Sequence, residues 1–154
     1  MAKTLYPVFA VSPRNLVPAC KDCNTVRGTV VFMTAADMTL HPYYDEVQSF
    51  DWLEARIIPG GTPSVEYYVS EQIEDDVLRS RLEKHLDVFQ LKQRYANKAV
   101  EEIIAHQSSF AQLLGIGGKD ILIAHLQLIY NSCHDAEKNS WRTALYKALI
   151  VAEQ

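Results

Sequence analysis

Cys20 and Cys23 are the residues whose type and spacing point most directly to chemistry. Two cysteines separated by two residues can present both thiolates to one tetrahedral zinc ion at the start of a helix. A structural zinc site needs four protein ligands, however, and the third cysteine, Cys133 beside His134, lies far along the chain. Because two thiolates make half a site, a redox-active pair and two packed thiols are alternative interpretations.

His41 is the histidine that follows the cysteine motif most closely. An imidazole can accept a proton from water near neutral pH, which hydrolytic reactions require. A histidine in such a loop more often packs or forms hydrogen bonds, and Asp45 is expected to cap a turn. The remaining histidines fall in predicted helices and are interpreted as ordinary helix residues: His85, His106, His125 and His134.

Charge is distributed unevenly along the chain, whose formal net charge is -4. Residues 1–30 hold four basic side chains and one acidic side chain, whereas residues 31–90 hold four basic and twelve acidic ones. Arg14, Lys21 and Arg27 belong to this basic N-terminal segment, which is compatible with a surface that faces phosphates. Ordinary scatter of surface charge is the alternative interpretation.

The composition narrows the class of protein. A length of 154 residues fits one domain, or one domain with a small appendage. An odd number of cysteines argues against a secreted disulfide framework and favours a reducing compartment. No run of apolar residues approaches the length of a membrane span, and the N-terminus lacks the apolar core of a signal peptide. These observations predict a cytoplasmic protein that has no membrane partner.

The sequence has two regions that differ in their predicted secondary structure, and these regions must position the candidate residues. Residues 1–48 are rich in turn-forming residues, and their only strand-like runs lie at residues 8–11 and 29–32. Residues 50–58 and 64–69 have strand character and are joined by a five-residue connection of proline, glycine and threonine. That arrangement predicts a β-hairpin.

Helical periodicity begins at Ser70, which we expect to cap the first helix. The pattern continues to Leu114, and the glycine-rich run at residues 115–118 is predicted to end it. Further helices are predicted from Lys119 and around Trp141. The expected fold is therefore α+β, with an irregular region over residues 1–48 and a hairpin plus a mainly helical domain over residues 49–154.

Two motifs of the N-terminal region occur together: Asn15-Leu-Val-Pro-Ala-Cys-Lys-Asp-Cys-Asn24, continuing to Arg27-Gly28, and Leu40-His-Pro-Tyr-Tyr-Asp45. Their combination resembles the HNH endonuclease family, and more narrowly its bacterial anti-phage and mobile-element type. The likeness extends over about residues 3–45. It implies a ββα-metal-like region, in which a hairpin and a short helix hold one divalent metal ion, and metal-dependent hydrolysis of nucleic-acid phosphodiester bonds.

The resemblance also implies a role for individual residues. Asn15 corresponds to the asparagine that holds the hairpin loop and orients the catalytic histidine. Asn24 corresponds to the last motif residue, which is a ligand of the catalytic Mg²⁺ or Mn²⁺. Cys20 and Cys23 correspond to half of a structural zinc site. The implied partner is nucleic acid, DNA in the first instance, contacted by Arg14, Lys21 and Arg27.

One part of the family motif is absent from these 154 residues, because the sequence contains no Asp-His dipeptide. In the family, that histidine deprotonates the attacking water and the aspartate helps to hold the metal ion. The resemblance therefore implies an HNH module without its first catalytic strand, a truncated form with impaired catalysis. His41 is the candidate for a replacement base.

Three function classes follow from these expectations. The first is an HNH-type endonuclease, and the second is a non-catalytic derivative that still binds nucleic acid. The third is a protein-interaction module whose acidic helices bind a partner, such as the ATPase that accompanies nucleases of this kind in anti-phage defence.

Overall fold

The structure, a computed structural model, describes residues 17–27 and 32–154. Within these ranges it contains helices and one two-stranded antiparallel sheet, so the fold is α+β, as the sequence predicts. The strand predicted at residues 8–11 and most of that at residues 29–32 lie outside the described residues. The elements in chain order are α1 (Lys21–Arg27), a 3₁₀ turn (Ala35–Asp37), β1 (Leu53–Ile58), β2 (Ser64–Val69), α2 (Asp76–Val88), α3 (Leu91–Ala136) and α4 (Trp141–Glu153).

The predicted β-hairpin is confirmed. Its register pairs Leu53 with Val69 and Ile58 with Ser64, and residues 59–63 connect the strands. Side chains alternate between faces along each strand, so the hairpin has one buried face. Tyr67 lies on that face with 1% exposure, whereas Tyr68 is half-buried on the other face, where the Arg56 guanidinium lies 5.6 Å from its ring centroid.

The predicted helix start at Ser70 is wrong. The Ser70 backbone N–H donates to the Trp52 carbonyl at 2.8 Å, which continues the pairing of the hairpin and keeps the chain extended there. Helix α2 begins instead at Asp76, and the Asp75 carboxylate caps it by accepting hydrogen bonds from Val77 N and Leu78 N at 2.9 and 3.0 Å.

The helical pattern that the sequence predicts from Ser70 to Leu114 also contains a break that was not predicted. Helix α2 ends at Val88, Gln90 has a φ of 53°, and α3 begins at Leu91. The sequence marks this break with neither glycine nor proline, so the apolar periodicity runs across it without interruption.

Helix α3 is interrupted where the glycine-rich run predicts. Gly117 and Gly118 leave the helical conformation, and Gly118 has a φ of 69°, which favours glycine. The chain reverses there, since the rings of Phe110 and His125 approach to 6.5 Å between centroids. By length and composition α3 also contains an 18-residue window apolar enough to cross a membrane, and 11% of that window is buried.

The described residues fall into two compact units. One unit comprises Val47–Ile73 and Lys92–Gln154, and its core forms where both arms of α3 pack against α4. In the same unit, the Tyr67 hydroxyl donates to the Trp141 carbonyl at 2.9 Å, and Lys147 pairs with Glu54 at 2.8 Å. These contacts attach the buried face of the hairpin to α4. The buried side chains of the α3–α4 core are Leu122, Leu126, Tyr146 and Ile150.

The other unit comprises the described residues up to Glu46 together with Glu74–Leu91. Helix α2 therefore groups with the N-terminal region, whereas the sequence places it in a domain over residues 49–154. The reason lies in two polar contacts. Arg81 of α2 forms an ion pair with Asp45, and the Ser80 hydroxyl donates to the Ala36 carbonyl at 3.2 Å.

Candidate functional site

The cysteine motif lies at the beginning of α1. The Cys23 backbone N–H donates to the Cys20 sulfur at 3.4 Å, and the Asn24 N–H donates to the Cys20 carbonyl at 3.0 Å. Cys20 therefore occupies the start of the helix, where backbone N–H groups lack acceptors within the helix. Cys20 and Asn24 are exposed, as is Lys21 between them.

The donor atoms at α1 make an incomplete metal site. Cys20, Cys23 and Asn24 are brought together by their spacing, but in the described part of the chain no third histidine, cysteine, aspartate or glutamate joins them in a group able to hold a metal ion. Two thiolates suit zinc, which takes four ligands, and a single amide oxygen at Asn24 falls well short of the six that Mg²⁺ prefers.

We expect zinc binding at this site to be weak. Two ligands leave coordination positions open, so the site contributes little free energy to folding. Elemental analysis after dialysis should find well under one zinc ion per chain, and Cys20→Ser should leave that content unchanged. One tightly held ion per chain would contradict the prediction and direct the search to Cys133, His134, His41 or a second chain.

His41 lies in a tight loop rather than beside α1 in a shared ligand group. Its Nδ1 atom accepts a hydrogen bond from Tyr43 N at 3.3 Å, and its ring centroid lies 4.6 Å from that of Tyr44. An imidazole that accepts through Nδ1 carries its proton on Nε2 when neutral. Among the described residues that buried Nε2 atom has no acceptor. In this geometry the ring has no lone pair available to a water molecule.

Asp45 closes this loop, as the sequence predicts for a turn cap. Its Oδ2 atom accepts a hydrogen bond from the His41 backbone N–H at 2.6 Å, and both carboxylate oxygens accept from Arg81, at 2.9 and 2.6 Å. Burial acts to raise the pKa of Asp45, but these hydrogen bonds together outweigh it, so the pKa lies below its ordinary value. The ion pair thus fixes the His41 loop onto α2.

His85 lies one turn after Arg81 on α2. Burial lowers the pKa of His85 to about 4, against a smaller opposite effect of the Asp45 charge. Its ring packs edge-on against Phe89, with the centroids 4.9 Å apart. His85 is therefore a half-buried residue that is neutral at physiological pH, in agreement with the sequence interpretation of it as an ordinary helix residue.

The burial of His85 predicts a pH-dependent stability. A group whose folded pKa is below its unfolded value near 6.5 favours the folded state above that value, and this stability is lost as the pH falls towards 4. We expect the free energy of unfolding to fall by at most about 3 kcal/mol between pH 6.5 and pH 4. Urea titrations across this range should show the fall, and His85→Phe should reduce it. An identical slope in the variant would assign the effect to other groups.

Several candidate residues cannot be placed. Asn15 and Arg14 lie outside the described residues, and of Arg27 the structure describes the helical backbone only. The sequence did not identify Arg81 as the residue that anchors the His41 loop. The only feature of the sequence that draws attention to Arg81 is its position one helical turn before His85 on a predicted helix. That spacing does not indicate Asp45 as the partner of Arg81.

The chain is similar to a bacteriophage protein. The chain is 26% identical over 164 residues to protein ea31 of Escherichia phage lambda, and the match covers 96% of this chain and 55% of ea31. The chain thus spans about half the length of the relative. No protein-family model matches the chain, and no solved structure matches it.

Proposed function

We propose that this protein is an HNH-type nucleic-acid protein whose parent activity is metal-dependent hydrolysis of phosphodiester bonds. The observation that carries the proposal is the arrangement at α1, where Cys20 and Cys23 begin a short helix and Asn24 is exposed on its next turn. That order of residues is the one through which the sequence resembles the family. Asn24 would contribute an oxygen ligand to Mg²⁺ or Mn²⁺, which supplies electrostatic stabilisation of the leaving oxygen when bound.

The proposal gives each remaining candidate a role. Asn15 would orient the catalytic base, and Arg14, Lys21 and Arg27 would contact the phosphates of DNA. Cys20 and Cys23 would supply two of the four ligands of a zinc ion, which these two residues alone hold only weakly. Exposure of Lys21 is compatible with its role. The odd number of cysteines, three in all, supports a reducing compartment, and we propose on that basis that the protein is cytoplasmic.

The geometry of His41 favours a second candidate, a derivative that binds nucleic acid without cleaving it. The Nδ1 atom accepts from the Tyr43 N–H and Nε2 is buried, so His41 is poorly arranged to replace the missing base. A general base must reach the proton that it removes, directly or through one water. A protein-interaction role, with a defence-system ATPase as the partner, would appear as co-purification of that partner.

A digestion series separates these functions. The chain, Asn24→Ala and His41→Ala are incubated with supercoiled plasmid, labelled single-stranded DNA and labelled RNA, with Mg²⁺, Mn²⁺ or EDTA. Cleavage that requires metal and is lost in Asn24→Ala supports the nuclease. Retarded migration of the substrate in EDTA, together with no cleavage when Mg²⁺ or Mn²⁺ is supplied, supports the binding derivative. Cleavage that survives both substitutions would contradict the assignment of the site.

A further inference from the structure

Cys20 and Cys23 lie close enough to each other to form a disulfide. The Asn24 backbone N–H donates to the Cys20 carbonyl at 3.0 Å, so the two cysteines belong to one helical turn. Residues three apart in an α-helix have Cα atoms about 5 Å apart, and disulfides usually bridge Cα atoms roughly 4.4–6.8 Å apart. The Cys23 backbone nitrogen lies 3.4 Å from the Cys20 sulfur. The backbone therefore already holds the two cysteines at a separation that a disulfide can bridge.

The three cysteines of the chain differ in their access to solvent. Cys20 is exposed and Cys23 is half-buried. Cys133 belongs to the other compact unit, where it packs against the buried core that α3 and α4 form. Exchange between a thiol and a disulfide requires access to the reacting sulfur. We therefore expect Cys20 to react first with a disulfide in solution.

The spacing of Cys20 and Cys23 has three interpretations, which are zinc ligands, packed thiols and a redox-active pair. A structural zinc ion requires four protein ligands. Among the described residues no third histidine, cysteine, aspartate or glutamate joins the two cysteines in a metal-holding group. The exposure of Cys20 disfavours a role in packing. Of the three interpretations, the redox-active pair needs only the two residues that the structure brings together.

We propose that Cys20 and Cys23 form a reversible redox pair that exchanges with low-molecular-weight disulfides such as oxidised glutathione. The Cys20 thiolate attacks one sulfur of the reagent, forms a mixed disulfide and releases one thiolate. The Cys23 thiolate then attacks the Cys20 sulfur, forms the intrachain disulfide and releases the second thiolate. Two protein thiols are oxidised and one disulfide is reduced, and the protons of the cysteines pass to the two released thiolates. This chemistry does not depend on nuclease activity.

The intrachain disulfide is expected to be labile rather than structural. It closes a short loop, and a disulfide across a short loop constrains the unfolded chain less than one across a long loop. Exposed disulfides are also more easily reduced than buried ones, and Cys20 is exposed. Cytosolic disulfides are usually transient and redox-sensing, which agrees with the compartment proposed above.

Treatment of the chain with excess oxidised glutathione in EDTA, followed by tryptic mass mapping, tests the pair. Trypsin cleaves after Lys21, between the cysteines, so the disulfide should appear as peptides 15–21 and 22–27 joined to each other. Dithiothreitol should separate them. In Cys133→Ala, glutathione should remain on less than about a tenth of the chains, because Cys23 displaces it within the same molecule. Cys23→Ser in that background should retain glutathione on Cys20.

The matched control carries Cys20→Ser and Cys23→Ser together and retains Cys133 as its one thiol. It should react with oxidised glutathione about tenfold more slowly than Cys20 does in the protein with Cys23→Ser and Cys133→Ala, since Cys133 packs against the core. Unjoined peptides in the parent, a stable glutathione adduct on Cys20 while Cys23 is present, or a disulfide between two chains would overturn the inference. So would a zinc ion that survives EDTA and blocks oxidation. Joined peptides in a protein that never cleaves nucleic acid would support the redox pair and leave the nuclease contradicted.

Discussion

The 154-residue chain is expected to cleave nucleic acid at least about a hundredfold more slowly than the same chain extended by a strand that carries an Asp-His pair. The reaction proposed for this chain needs a base within reach of the attacking water, and removal of a general base typically costs a factor of about 10² to 10⁴ in rate. The aspartate of the pair also helps to hold the metal ion, so its absence adds to the deficit. His41 does not replace the base in the geometry described, because its Nδ1 atom accepts from Tyr43 N.

Initial rates on supercoiled plasmid with Mg²⁺ and with Mn²⁺ measure this difference. In the extended protein, Asn24→Ala should abolish cleavage, because it removes the proposed metal ligand without disturbing a buried side chain. His41→Ala should leave that cleavage nearly unchanged. Rapid cutting by the unextended chain that disappears in His41→Ala would reverse the assignment and identify His41 as the base.

Asn139→Ala should destabilise the unit that contains the hairpin by about 3 kcal/mol or more. Asn139 is 7% exposed, and its amide oxygen accepts from Trp52 N and Leu53 N at 2.8 and 3.2 Å. Its amide nitrogen donates to the Val47 and Phe50 carbonyls at 3.2 and 2.9 Å. Truncation leaves these backbone groups without their partner in a buried environment, and each such loss costs about 1–3 kcal/mol.

Thermal and urea unfolding followed by tryptophan fluorescence measure this effect, since Trp52 lies at the affected position. The midpoint temperature should fall by roughly 10 °C or more. Asn97→Ala is the matched control, because Asn97 is exposed and its side chain bonds only to Gln93 of the same helix among the described residues. It should change stability by less than about 0.5 kcal/mol. Equal midpoints for the two variants would show that the four hydrogen bonds of the Asn139 side chain do not contribute to stability.

Features with a local cause could be predicted from the sequence. The hairpin follows from alternating side chains on both sides of a five-residue proline- and glycine-containing connection, and all of that information lies within residues 50–69. The interruption of α3 follows from Gly117 and Gly118, since glycine alone adopts a φ such as 69° at little cost. Helix α4 follows from apolar spacing preceded by Ser140, whose hydroxyl accepts from Thr143 N at 3.1 Å.

Features that depend on distant partners could not be predicted. The sequence analysis places the helix cap at Ser70, but pairing of Ser70 N with the Trp52 carbonyl keeps the chain extended there, and Asp75 is the cap instead. The separation of α2 from α3 depends on a positive φ at Gln90, and glutamine is not a residue type that predicts this conformation. At the site, the cysteine spacing predicts the local geometry of α1, but Asp45 and Arg81 are 36 residues apart and their pairing is a tertiary property.

The attachment of the hairpin to α4 has a consequence for synthesis on the ribosome. The buried face of β1 and β2 is complete once residue 69 has been made, yet the helix that covers it ends at Glu153. At a translation rate of about 5–20 residues per second, roughly 4–17 seconds pass between synthesis of the hairpin and synthesis of the last residue of α4, which covers its apolar face. During this interval the nascent chain exposes Tyr67, Val65 and Leu53 together with unpaired strand edges, and such surfaces are where chaperones bind and where aggregation begins. Slow translation of the α3 region would lengthen this exposure.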